Sequence, residues 1–369
     1  MTQRERILAT YSHQLPDHVP LAYWGRPDVD EPLMEHLGLA SMEEVYARLQ
    51  VERFGGVGLS LSFPVWEARS DKYAQEGAWP GAGSELVWHD DITFEDNWGT
   101  VWRIGGEGKY LQHLSSPLEK AEDPDEYDFP GPDRIVNDPH LAEKVSEQKS
   151  RGLYVQTGVE QPYKTAWRLR GMEQNLMDYY VNREFKEKLY EKIYATWGEL
   201  CRRTVSAGAD EFHIGGDIAM QDRLFMSPQV WREVDKPRLA RLIGIARGIN
   251  PDIHVSIHSD GNLMEIMDDL VEIGFDVINP VQPECMDPVE VKRRWGDKIS
   301  LWGCGSLQQV LPYGRVQDVR DHVNYLIENC GYDGGLLLAP SNVWQPDVPL
   351  ENIVAFYDTA LEYDLSNFR

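Results

Sequence analysis

The chain has 369 residues, 42% of them hydrophobic, which suffices for one large α/β domain or two small ones and argues against disorder. Its net charge of −25 argues against nucleic acid and anionic membranes as partners, because both call for clustered Lys and Arg. The four cysteines (Cys201, Cys285, Cys304, Cys330) form no CxxC pair and match no common zinc or disulfide framework, so a reducing, cytoplasmic setting is expected. The opening MTQRERILATYSHQ is charged and lacks the apolar stretch of a signal peptide. No apolar run approaches the length of a membrane span.

Eight short apolar runs predict parallel strands: Val19–Trp24, Val57–Ser62, Leu153–Gly158, Glu211–Gly215, Ile253–His258, Asp276–Pro280, Ile299–Gly303 and Gly335–Ala339. Amphipathic helical stretches separate most of them. The clearest is Arg183–Ser206, with Phe185, Leu189, Ile193, Trp197, Leu200 and Val205 at helical spacing. Ser227-Pro228 predicts a helix start, a Ser cap before Pro at the first helical position. Gly274 is expected to close a helix carrying Leu263, Ile266, Met267, Leu270 and Val271 on one face. The alternation predicts a single α/β domain, a (β/α)₈ TIM-type barrel spanning 1–369. The gap between the second and third runs is too long for an ordinary crossover. Residues 63–150 are therefore read as an insertion or lid, with a β-hairpin over the Gly-rich turn between Trp98 and Tyr110.

In such folds the carboxyl ends of the strands carry the chemistry. His258 and Asp260 stand at one of these ends, in His258-Ser259-Asp260-Gly261-Asn262. If the strand runs on through Asp260, the two side chains share a face and can serve as metal ligands or as a base with its orienting carboxylate. The competing reading is a turn in which Asp260 caps the next helix. The preceding strand ends in Glu211-Phe212-His213-Ile214-Gly215-Gly216-Asp217. Glu211 and His213 share a face, and Asp217 follows two glycines that admit close backbone approach. There His213 is either a site group or a satisfied core histidine. Trp24, Trp302 and Arg26 at strand ends, Tyr163 after the third strand and Asn342 in the closing loop are the expected substrate contacts. Twelve tryptophans, Trp66, Trp102 and Trp344 among them, serve either packing or an aromatic-lined pocket. Cys304, flanked by glycines but by no evident activating cation, reads as packing rather than as a nucleophile.

Five segments together carry a family resemblance: GGDIAMQDRLFMSPQVWREVDKP from Gly215, HSDGN from His258, GFDVINPVQP from Gly274, WGDKISLWGCGS from Trp295 and GGLLLAPSNVWQPDVPLENI from Gly334. In their order and spacing the chain resembles the uroporphyrinogen decarboxylase superfamily, which also contains zinc- and corrinoid-linked methyltransferases. The resemblance implies a (β/α)₈ barrel with its site at the strands' C-terminal ends. It does not extend to the features of the decarboxylases. Their Arg-rich N-terminal segment is here LAYWGRPDVDEPLMEHLG, with one Arg. Their Asp after the second strand is missing from SLSFPVWE, and their C-terminal-loop His from APSNVWQPDVP.

The methyltransferase branch binds zinc through His-x-Cys and a later Cys. His258 matches the His, Asp260 stands at the first Cys, and Ser341 falls near the second. The resemblance therefore implies zinc held by the His258 imidazole and by oxygen ligands in place of thiolates, Asp260 first, with help from Asp217, Glu211 or Gln282. It implies transfer of a methyl group from a small, methylated or methoxyaromatic substrate to a partner corrinoid protein. Two alternatives stand beside this. One is a decarboxylase acting on another carboxylated substrate, with Arg26 and Lys164 as clamps and Asp217 or His258 as proton donor. The other is a non-catalytic barrel that binds a ligand.

Overall fold

The computed structural model describes residues 1–63, 86–105 and 110–368. Trp66, the rest of the insertion between residues 64 and 85, and the Gly-rich turn at 106–109 lie outside the described residues. In chain order the strands are β1 (Phe54–Gly56), β2 (Val87–Trp88), β3 (Thr93–Glu95), β4 (Val101–Gly105), β5 (Tyr110–Ser115), β6 (Tyr154–Glu160), β7 (Glu211–Gly215), β8 (His254–His258), β9 (Val277–Val281), β10 (Ser300–Gly305) and β11 (Leu336–Pro340). The chain divides into two compact units. One comprises Met1–Gly58, Pro139–Val159 and Cys201–Arg369, the other Leu59–Asp138 and Glu160–Leu200.

The first unit holds a seven-stranded parallel sheet in the order β1-β6-β7-β8-β9-β10-β11. Strands β10 and β11 are buried along their whole length, as expected of parallel strands covered on both faces. Strands β7 and β8 carry polar residues at every other position (Glu211, His213; His254, Ser256, His258), and these share the sheet's inner face. The N-terminal helix Gln3–Tyr11 sends Ile7 and Tyr11 into a core with Ala22, Tyr154, Val277, Trp302, Leu337 and Ala339. Tyr11 meets Tyr154 edge-on at 5.8 Å between ring centres.

The last six predicted runs coincide with β6 to β11 to within a few residues, and the first two do not. Val19–Trp24 reduces to a single parallel bridge at Leu21. There Ala22 N–H donates to Leu338 O (3.0 Å), Leu338 N–H to Pro20 O (2.9 Å) and Glu52 N–H to Leu21 O (2.7 Å). This short segment thus bonds to β11 on one side and to the approach to β1 on the other. The second predicted strand, Val57–Ser62, is displaced: β1 is Phe54–Gly56, paired with Tyr154–Gln156. Two glycines in three residues carry little strand propensity, and the partner strand decides the matter.

Helix signals read more faithfully. Ser227 caps Pro228–Val234 by accepting from Val230 N–H at 3.2 Å. Gly274, in the left-handed region at φ 100°, ends Met267–Ile273. All six apolar residues predicted for Arg183–Ser206 are buried.

The second unit contains the antiparallel sheet β2-β3-β4-β5. The expected hairpin is β4 with β5, in register at Ile104↔Leu111. Asp96 knots the β3–β4 turn by accepting from Trp98 N–H (2.9 Å), Thr100 N–H (3.0 Å) and the Trp102 indole (2.8 Å). Trp98 packs against Phe129 and Trp197 of the same unit. Among the described residues no helix is long and apolar enough to cross a membrane.

Candidate active site

Three strand ends lie level in the first unit. Gly215 of β7 pairs with His258 of β8, and His258 pairs with Asn279 of β9. Strand β8 stops at His258, so Asp260 reaches the site through a turn and not along the strand. That turn is held from every side. Gly216 N–H donates to His258 O (3.0 Å) and Ser259 N–H to Asn279 O (2.8 Å). The Ser259 hydroxyl accepts from Ile218 N–H (3.1 Å), and the Gln282 carbonyl faces Gly261 N–H at 3.4 Å. A Cβ on Gly261 would lie 2.4 Å from Met220 O, and its φ is +96°, so glycine is required there. The helical turn and helix that follow carry no side-chain cap; the Asn262 side-chain oxygen accepts from Met264 N–H at 3.0 Å. Asp260 is left to the site.

Asp217, His258 and Asp260 each offer a ligand atom, all within 4.8 Å of one another. His258 Nε2 is 3.8 Å from Asp217 Oδ1, which also accepts from Asp260 N–H at 3.0 Å. His258 Nδ1 contacts Asn279 Oδ1 at 2.6 Å. Asp260 Oδ2 accepts from the Asn342 amide at 2.6 Å, while its Oδ1 is buried without a hydrogen-bond partner. Burial raises the Asp260 carboxyl above the ordinary range and Asp217 adds to this; His258 and Asn342 pull the other way.

Beneath this group lies a polar layer. The Ser256 hydroxyl donates to Glu211 Oε1 and meets His213 Nδ1 at 2.7 Å, and Gln156 donates to the same Glu211 oxygen at 2.8 Å. Burial pushes Glu211 up to about 7 against these hydrogen bonds, and burial, seconded by His258, pushes His213 down to about 3. His213 is thus a neutral imidazole, its ring centre 6.5 Å from that of His258.

A cavity of about 320 Å³ opens beside His258, His213, Asn279 and Gln156, with Trp24, Trp302 and residues 340–343 completing its wall. Trp24 leans on Trp302 at 5.1 Å, and Trp302 stacks on Phe54 at 5.1 Å with the planes 10° apart. The Trp302 indole nitrogen is buried without a hydrogen-bond partner.

Of the residues singled out in the sequence, His258, Asp260, Asp217, Asn342, Trp24 and Trp302 come together here. Glu211 sits one layer below, outside the three-residue group, and Gln282 braces the turn backbone. Arg26 pairs with Asp28 (3.0 Å) and does not line the cavity. Tyr163 belongs to the second unit, where it is buried and stacked on Tyr179 at 6.4 Å. Cys304 is fully buried, and burial drives its thiol far above the ordinary value, so it is no thiolate. Asn279, Gln156 and Ser256 escaped the sequence reading. Asn279 lies one strand over from His258 in exact register with it, information that no single strand contains.

Parallel strands with a polar constellation at their C-terminal ends define an α/β enzyme-type scaffold. The family model of uroporphyrinogen decarboxylase (URO-D) matches residues 107–363, and the chain belongs to that family. Among solved structures, a methyltransferase from Methanosarcina mazei matches with a TM-score of 0.62 at 20% identity, over 98% of this chain and 99% of that one. The GH53 catalytic domain of Ignisphaera aggregans matches with a TM-score of 0.36 at 14% identity, over 88% and 84% of the two chains. The first likeness bears on the fold over its whole length; the second is too distant to weigh. Among curated proteins no significant match is found.

Proposed function

We propose that this chain removes a methyl group from a small methylated substrate, a methoxyarene by preference, for transfer to a corrinoid carried by a partner protein. One observation carries the reading: Asp217, His258 and Asp260 converge where His258 also borders an aromatic-walled cavity. The name of the Methanosarcina mazei protein agrees with it. The donor set suits zinc, since one imidazole and two carboxylates supply three protein ligands and leave a position for substrate. The buried, unpartnered Asp260 Oδ1 is the atom such an ion would engage. A divalent metal held there supplies Lewis acidity for the charge that develops on the departing oxygen.

The chain's own residues do the rest. Trp24, exposed at the cavity wall beside buried Trp302, offers a stacking face for a flat ring. His213, neutral and anchored through Ser256, offers a fixed hydrogen-bonding group in the cavity. Asn342 holds Asp260 in place. When the carbon–oxygen bond breaks, its electron pair stays on oxygen and the methyl carbon goes to the external acceptor, so the chain needs no nucleophile. We further propose that the sheet is a closed (β/α)₈ barrel with the Leu21 segment as its eighth member, and that residues 63–150 are an insertion or lid region. The bonds from that segment to Leu338 and Glu52 support the first point.

Decarboxylation of another carboxylated substrate is the second reading, favoured by the raised Asp260 carboxyl, which can hold a proton for delivery. Of its two expected clamps, Arg26 is engaged with Asp28 and Lys164 lies over the Trp167 ring. Elemental analysis of the purified protein decides first. Near-stoichiometric zinc, lost in His258→Ala and in Asp260→Ala, is the expected result, followed by methyl transfer in a panel of methoxyarenes with corrinoid proteins. A metal-free wild type that releases CO₂ from a carboxylated substrate would reverse the order of the two readings.

A further inference from the structure

We propose that Asn279 is a positioning residue: it fixes the proton of His258 on Nδ1 and so makes Nε2 the coordinating nitrogen. This rests on the metal-assisted reading above. A neutral imidazole carries one N–H, and the partner of one ring nitrogen decides which nitrogen keeps a lone pair. Asn279 is the registered neighbour of His258 on the adjoining strand, and its Oδ1 lies 2.6 Å from Nδ1. A carbonyl oxygen only accepts, so Nδ1 must donate. When His258 is neutral, that leaves the lone pair on Nε2, the nitrogen that lies 3.8 Å from Asp217 Oδ1.

Asp260 is arranged on the same plan. Asn342 occupies its Oδ2, and Oδ1 is left buried and unpaired. A buried acceptor without a partner is destabilising, a cost that disappears when an ion takes the atom. The backbone N–H of Asp260 in turn holds Asp217 Oδ1 at 3.0 Å. Each of the three donors thus has one contact that orients it and an atom available to the group. Outer partners of this kind typically change metal affinity 10- to 100-fold when removed.

The test uses zinc alone, titrated against a competing chelator, together with ¹⁵N NMR of His258 in the metal-free protein. Wild type is expected to show a protonated Nδ1 and a bare Nε2. Asn279→Leu should lose that single tautomer and bind zinc about 10- to 100-fold more weakly. Asn279→Asp, which still accepts from Nδ1, should restore the tautomer and bind zinc at least as tightly as wild type. A role in folding alone predicts no such rescue, and the wild-type tautomer is informative even if the Leu variant fails to fold. A neutral ring whose single proton sits on Nε2 in metal-free wild type overturns the inference. So does zinc binding that His258→Ala abolishes but Asn279→Leu leaves unchanged. Wild type that takes up no zinc at all overturns the metal reading and this inference with it.

Discussion

Glu211 shows how far a side chain's chemistry depends on where the fold puts it. In the sequence it is an ordinary carboxylate at the start of a strand, a candidate ligand because it shares a face with His213. In the fold it is fully buried, and burial raises it to about 7. The folded state therefore holds a proton that the unfolded chain has already released above pH 4.5. Stability associated with Glu211 is complete below that value and is lost as pH rises toward 7, by an amount of the order of 3 kcal/mol. Glu211→Gln removes this dependence while keeping an acceptor for Gln156. Its melting temperature relative to wild type is expected to improve steadily between pH 5 and pH 7.5. Parallel stability curves for the two proteins over that range would show that Glu211 is ionised throughout. His213 behaves oppositely: its depressed value means that its contribution is present above about pH 6.5 and is lost on acidification toward 3.

At the scale of elements, the loop from His258 to Asn262 does what a longer strand was expected to do. The spacing of His258 and Asp260 suggested neighbours on one face, yet β8 ends at His258. The Ser259 hydroxyl and Gly261 bend the chain so that Asp260 returns to the histidine. Gly261→Ala forces a Cβ against Met220 O in a left-handed backbone. The strain alone is about 1–3 kcal/mol, so a lower melting temperature is expected, with weaker zinc binding as Asp260 shifts. An alanine variant with unchanged zinc affinity would mean that Asp260 is not a ligand. Other elements were legible because their signals are local. The cap at Ser227 and the stop at Gly274 depend only on residues a few positions away. Strand β1 was not, because Phe54-Gly55-Gly56 becomes a strand only through its pairing with Tyr154–Gln156.

For the whole molecule, the informative residue is Leu21. It is fully buried in a segment that bonds both to β11 and to the approach to β1. Leu21→Ala is expected to cost about 2–5 kcal/mol, the range for a buried leucine whose site cannot collapse. Denaturant melts of the variant measure this directly, and a loss below 1 kcal/mol would argue that the segment is not part of a closed wall. The helix Arg183–Ser206 and the six strands from β6 to β11 were readable because hydrophobic period reports burial, and burial dominates their placement. The hairpin of β4 and β5 was readable from the Gly-rich turn in its sequence.

By itself, the sequence determined the element types along most of the chain, the absence of a thiolate pair at the expected zinc positions, and the choice of His258 and Asp260 as the pair to watch. These follow from residue identity and short-range periodicity. Only the tertiary structure decided that Asn279 bonds to His258, that Asn342 takes one oxygen of Asp260, that Asp217 joins them and that Arg26 pairs with Asp28. Those facts depend on which strands lie side by side and in what register, and register is set by the packing of the whole sheet rather than by any one segment.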